Sequence, residues 1–130
     1  MPPPSDPDAG PYGPPVDDSE TLLRVITPGA LGSWIKSDGS ASSLMFDPPK
    51  FSTNMESLTS VEDTLRRWPE GSRAAAFGAG VARTLGFFAH HEPEDDNHAH
   101  ANVYCTFGSS QRKKAARALA ALTRVLPAPV

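Results

Sequence analysis

The sequence has a single cysteine, no long apolar run and no basic residue in its first twenty positions, and each absence excludes a class of protein. One cysteine, Cys105, cannot form a disulfide within the chain, which favours a reducing compartment. No stretch approaches the roughly 18 consecutive apolar residues that span a bilayer. The chain also starts without the basic residues and apolar run of a signal peptide. We therefore expect a soluble, cytoplasmic protein without a membrane contact.

Charge is divided unevenly along the 130 residues, although the formal net charge is only -3. The first twenty residues carry acidic side chains and no base, whereas every charged residue after Asp96 is basic. An acidic start and a basic end could contact each other, or each could contact a partner.

Proline is concentrated at the start of the chain. Seven of the fourteen prolines lie in the first fifteen residues, where Tyr12 is the one aromatic residue. Such a segment has few backbone donors and almost nothing to bury, so it does not repay its ordering entropy. We predict a disordered tail over residues 1–19, one domain over 20–126 and a disordered end over 127–130.

The remaining pattern predicts a small α+β domain, in which a mostly antiparallel sheet of three or four strands is covered on one face by helices. The apolar run at 22–26 is a strand or one helical turn, because periodicity does not decide at that length. Residues 43–46 are predicted as a strand that two prolines end, and Phe51 as part of a loop.

Helical patterns follow in the middle of the chain. Residues 60–68 are predicted as a helix that starts at an N-capping serine. Residues 72–85 carry apolar side chains at four-residue spacing, which favours a second helix. In an alternative, residues 74–77 form a strand and 78–80 a phosphate-binding turn, although the dinucleotide fingerprint lacks its third glycine at Arg83.

The clearest pattern is a hairpin, with strands over 87–92 and 98–107 and a loop between them. Apolar residues occupy every second position of the second strand, so one face enters a core and the other faces water or a ligand. The predicted core positions are Val103, Cys105 and Phe107.

All four histidines lie in this hairpin, together with four carboxylates. If residue numbers across the ladder sum to 190, His90 faces His100 and Glu92 faces His98, all on one face. Three imidazoles and a carboxylate there could hold zinc or another divalent metal ion. The candidate binding residues are His100, His98, His90 and Asn102. The candidate metal ligands are His90, Glu92, His98 and His100.

A simpler interpretation competes with the metal site. Acidic hairpin loops are common because they are solvated, and the histidine spacing matches no established motif such as HExxH or paired CxxC. Cys105 lies on the other face of the strand from His100, so we expect a small buried residue there rather than a nucleophile.

The last predicted helix, residues 109–126, has a basic side. Lys113, Arg117 and Arg124 lie opposite its apolar stripe and could contact phosphate groups. Because the domain is not basic overall and no aromatic side chains interleave with these charges, a solvated outer face is the better interpretation. We do not expect a nucleic acid partner.

Several short motifs resemble a loosely defined group of short, uncharacterised bacterial proteins with no assigned activity. These proteins carry a Ser-Ser-x-x-Phe segment, as at 42–46, and a helix ending in Arg-x-Leu-Gly, as at 83–86. They also carry an Ala-His-Ala strand, as at 99–101, before a last helix rich in lysine and arginine. The resemblance covers residues 22–126 and brings no function with it. It places only His100 at a recurring histidine position, which weakens the case for a metal site of several histidines.

The function favoured by these observations is a non-catalytic binding or accessory protein that acts with a protein partner. No recognised catalytic constellation is present, and one sheet face carries a polar row. The alternative is a metal-dependent hydrolase or nuclease that uses the histidines of residues 90–100, with zinc as its candidate cofactor.

Overall fold

The computed structural model describes residues 12–127, which form one six-stranded antiparallel sheet and four helices. The strands are β1 (Thr21–Ile26), β2 (Lys50–Met55), β3 (Arg73–Gly78), β4 (Phe87–His91), β5 (His100–Cys105) and β6 (Arg124–Val125). The helices are α1 (Leu31–Trp34), α2 (Val61–Arg66), α3 (Ala79–Thr84) and α4 (Ser109–Ala121), with 3-10 helices at Pro28–Ala30, Ser43–Phe46 and Glu56–Leu58. The sheet order is β4-β5-β2-β1-β3-β6. The α+β class and the antiparallel sheet are confirmed, and three or four strands was an undercount.

One missed strand is β2, because Phe51 was predicted to lie in a loop. Phe51 is buried and pairs with Val103 of β5, so β2 is an interior strand of the sheet. The apolar run before it is a 3-10 helix (Ser43–Phe46) rather than a strand. Its N-cap is Ser42, whose hydroxyl accepts a hydrogen bond from the Leu44 N–H at 3.2 Å.

The helix predicted over residues 72–85 is wrong in its first half. Residues Arg73–Gly78 form β3, which pairs with β1 along its whole length, and only α3 is helical. The alternative of a strand before the glycines is therefore the correct one. Its phosphate-binding turn is not, because the N–H groups of Ala79 and Gly80 already donate to the backbone oxygens of Glu20 (2.9 Å) and Asp18 (3.0 Å).

The sheet has a core face and an open face. The core face packs against α4 and the 3-10 helix at Ser43–Phe46. The largest side chains of this core are those of Leu22, Ile26, Met45, Phe46, Phe51, Phe77, Phe87 and Leu119. Helices were predicted to cover one face only. This is wrong, because α2 lies on the open face and contacts β1 and β3. Its Thr64 accepts a hydrogen bond from Asn54, which lies on the open face.

Residues 12–16, here called the N-terminal strap, run along the outer edge of β4. The Val16 N–H donates to the Ala89 oxygen at 2.9 Å, and the His91 N–H donates to the Pro14 oxygen at 2.8 Å. Of the tail predicted over 1–19, residues 1–11 lie outside the described residues, as do 128–130 of the predicted disordered end. The ordered part therefore begins before Glu20.

Within the described part of the acidic start, Asp18 contacts α3 and Glu20 contacts Ser57, rather than the last helix. Asp18 accepts a hydrogen bond from the Arg83 Nε at 2.8 Å, and this contact lowers the pKa of Asp18. The last helix is also shorter than predicted, since α4 ends at Ala121 and Arg124 lies in β6.

Within β5 the predicted alternation holds, and Val103 and Cys105 are buried. Phe107 is not a core residue: it follows the end of β5, is 39% exposed and lies over Gly86. Across the described part of the chain, no helix has the length and apolar character needed to cross a membrane.

Candidate functional site

The hairpin pairs in a different register from the predicted one. His90 lies opposite Asn102, and His91 opposite Ala101, so residue numbers sum to 192 rather than 190. A shift of two positions leaves every side chain on its predicted face. His90, His100 and Asn102 therefore share the open face as expected, but His90 and His100 are not directly opposed.

His90 is fully buried beneath the N-terminal strap. Its Nδ1 lies 2.7 Å from the backbone oxygen of Gly13, which can only accept, so Nδ1 carries the proton. The ring of Tyr12 lies 5.3 Å from the His90 ring and 4.9 Å from that of Tyr104. His90 consequently holds the strap and is closed to a ligand.

Asn102 and Tyr104 are engaged by one carboxylate. Glu92 accepts hydrogen bonds from the Asn102 amide at 3.2 Å and from the Tyr104 hydroxyl. Burial, followed by the bond to Glu92, raises the pKa of Tyr104 well above its usual value. The carboxylate is thus occupied by its own sheet.

His98 stands apart from the other predicted residues. Its side chain is exposed, and its ring meets that of His91 edge-on at 5.3 Å. The backbone oxygen of His98 accepts a hydrogen bond from His91 Nε2 at 2.8 Å. His98 therefore does not support His100 directly.

His100 is the histidine that faces a cleft. It is 7% exposed, and its Nδ1 donates to the backbone oxygen of Glu92 at 2.9 Å. This bond fixes the proton on Nδ1, so the neutral ring has an accepting Nε2. The Oε1 of Glu94 lies 4.0 Å from Nε2.

The cleft in front of His100 lies on the open face across β1, β2 and β5 and encloses about 310 Å³. We call it the His100 cleft. It is lined by Leu23, Arg24, Val25, Ser52, Thr53, Asn54, Trp68, Glu94, Asn97 and His100. Two amides fix its shape, because Asn97 donates to Asn54 at 2.8 Å and Asn54 donates to Thr64 of α2 at 3.0 Å. These bonds join the hairpin loop, the sheet and α2.

A second cleft of about 480 Å³ adjoins the first and shares Asn54 and Asn97 with it. We call it the Arg66 cleft. Its lining also includes Leu58, Thr59, Asp63, Arg66, Arg67, His98 and Ala99. Its cations are already paired: Arg66 lies 2.9 Å from Asp63, and Arg67 lies 3.3 Å from Asp96.

The predicted metal ligands do not come together. His90 is hydrogen-bonded to Gly13, and Glu92 is hydrogen-bonded to Asn102 and Tyr104. The side chain of His98 is exposed to solvent. Within residues 12–127, no group of three or more His, Cys, Asp or Glu side chains is arranged to hold a metal ion.

The predicted basic stripe is also divided. Lys113 and Arg117 are exposed on α4, whereas Arg124 lies in β6. Arg117 lines a separate cleft of about 350 Å³ with Lys36. The three residues thus do not form one helical surface.

His100 was a predicted binding residue and lines the cleft, whereas most of its surroundings were not predicted from the sequence. Asn54 and Trp68 belong to β2 and to the turn after α2, far from the hairpin in sequence, and nothing local marks them. Glu94 and Asn97 carried a weak signal, because they lie in the same polar loop as the histidines.

Comparison with known proteins finds no relative of this chain. The chain matches no family model, no curated protein and no solved structure.

Proposed function

We propose that this protein is a non-catalytic binding protein that holds an extended segment of a partner protein across its open sheet face. The observation that carries the proposal is the pair of adjacent clefts, here together called the groove, whose linings share Asn54 and Asn97. An extended peptide places alternate side chains in successive pockets, which suits two clefts divided by a ridge.

The exposed apolar side chains along the groove support a protein partner. Trp68 is 46% exposed at the His100 cleft, and Leu58 is 44% exposed at the Arg66 cleft. Aromatic anchors beside polar groups are typical of residues that dominate protein interfaces. Each of the two clefts thus offers one exposed apolar side chain to a ligand.

The polar groups of the groove favour binding over catalysis. Ser52 shares the His100 cleft, but no hydrogen bond joins its hydroxyl to His100, and His100 Nδ1 bonds to a backbone oxygen rather than to a carboxylate. An activated nucleophile needs contact with its base. The metal-dependent hydrolase has no assembled ligand group in residues 12–127 to support it.

Selection from a displayed peptide library tests the proposal. Peptides enriched on the full chain should lose at least about tenfold in affinity on Trp68→Ala, since a buried interface tryptophan commonly contributes more than about 1.4 kcal/mol. Leu122→Ala is the control, because Leu122 is 60% exposed but lies outside both clefts.

The proposal fails if no peptide is enriched, or if the enriched peptides bind equally to the Trp68→Ala variant. Loss of binding in Leu122→Ala but not in Trp68→Ala would place the binding surface elsewhere on the molecule.

A further inference from the structure

We infer that the His100 cleft receives a basic side chain, the guanidinium or ammonium group of an arginine or lysine on the bound segment. This inference rests on the proposed function and names the chemistry that the first cleft selects.

The hydrogen-bonding groups of the cleft carry the inference. Three donors of the cleft are used inside the protein: one Asn97 Nδ2 N–H donates to Asn54, one Asn54 Nδ2 N–H to Thr64, and His100 Nδ1 to the backbone of Glu92. Two other groups of the lining are acceptors, the His100 Nε2 and the Glu94 carboxylate, which lie 4.0 Å apart. A ligand must bring donors to satisfy them.

The charges of the cleft point the same way. Arg24 and Glu94 are the two charged residues in its lining. The Arg24 guanidinium is turned to the core face, where it lies 4.7 Å from the Trp34 ring and 4.9 Å from the Phe51 ring. It also donates to the Met45 oxygen at 3.1 Å and to the backbone oxygen of Ser52, in the cleft lining, at 3.3 Å. The guanidinium is thus held by backbone oxygens and aromatic rings, whereas the Glu94 carboxylate, on a side chain that is 59% exposed, is the anionic group open to a ligand.

Trp68 adds a surface that suits a cation. Its ring is half exposed at the cleft, and the face of an indole ring attracts ammonium and guanidinium groups. A planar guanidinium can stack on this ring while its N–H groups bond to Glu94 and His100. Arg67, which lines the adjoining Arg66 cleft, lies 3.3 Å from Asp96, and the ionisable side chain beside Glu94 is His100, at 4.0 Å.

The test measures the binding of three small probes, derivatives of arginine, citrulline and glutamate, to the full chain. Binding is detected by changes in the amide NMR signals of the protein. Nα-acetyl-arginine methylamide should shift the signals of Asn97, His100 and Trp68, with at least fivefold higher affinity than the citrulline analogue. Citrulline has the same shape but no charge. Glu94→Gln should remove most of this preference, whereas Glu56→Gln, an exposed residue outside the lining, should leave it unchanged.

Equal binding of the citrulline probe, stronger binding of the corresponding glutamate probe, or no shift at these three residues would each overturn the inference. Because Glu94 is exposed and its backbone bonds to Asn97 do not involve the carboxylate, Glu94→Gln is expected to fold. If library peptides bind at Trp68 but carry no basic residue, the inference fails while the proposed function stands.

Discussion

The N-terminal strap passes β4 so closely that a side chain does not fit at Gly13. A Cβ atom there would lie 2.0 Å from the backbone oxygen of His91, which belongs to a paired strand. Gly13→Ala should therefore lift the strap. Three hydrogen bonds would be lost, those of Gly13 with His90, Pro14 with His91 and Val16 with Ala89. Each contributes about 0.5–1.5 kcal/mol, and the released strap regains entropy, so we expect a net loss of about 1–3 kcal/mol.

Thermal unfolding of the full chain measures this loss. A change of about 1–3 kcal/mol lowers Tm by at least about 3 °C in a domain of this size. Gly29→Ala is the matched control, because a Cβ at Gly29 meets nothing within 4 Å and should leave Tm nearly unchanged. A Gly13→Ala variant that melts together with the Gly29→Ala variant would refute the contribution of the strap to stability.

Two further predictions concern the core and the half-buried phenol of Tyr104. Phe87→Ala should lower the free energy of unfolding, measured by chemical denaturation, by about 3–5 kcal/mol because Phe87 is fully buried. Phe88→Ala should cost far less, because Phe88 is half-buried and lies on the other face of β4. Equal losses in the two variants would contradict this assignment of faces. In a Tyr12→Phe variant, the Tyr104 phenol should ionise with a pKa above that of an exposed tyrosine. The stability of the folded chain should therefore fall as pH rises past about 10, because Tyr104 then ionises in the unfolded chain and not in the folded one. Phenolate absorbance at the ordinary pKa would contradict the burial of Tyr104 and its bond to Glu92.

The fold could be predicted where a local pattern decides the structure. Alternation in β5 predicted the burial of Val103 and Cys105 correctly. The segment that contains β3 was predicted as a helix because Phe77, Val81 and Leu85 recur at four-residue spacing, and only its pairing with β1 makes Arg73–Gly78 a strand. The burial of Phe51 likewise depends on β5, which is distant in sequence.

The candidate site could be predicted only in part for the same reason. The open-face position of His100 follows from the alternation, but its pairing partner depends on the loop, in which the backbone groups of Glu94 and Asn97 bond to each other. The strands on either side of this loop pair two positions away from the predicted register. His90 is closed to a ligand because its Nδ1 donates a hydrogen bond to the backbone oxygen of Gly13. This contact was not foreseen, since the proline-rich composition of the start of the chain predicted disorder there.

Fluorine NMR of the chain labelled with fluorotryptophan tests binding at the open face most directly. The chain has two tryptophans, and they report on opposite faces: Trp68 lines the His100 cleft, while Trp34 packs against Arg24 on the core face. Addition of a library-selected peptide should shift the Trp68 resonance and leave the Trp34 resonance in place. A bound peptide that leaves Trp68 unchanged, or that shifts only Trp34, would contradict a binding site at the His100 cleft.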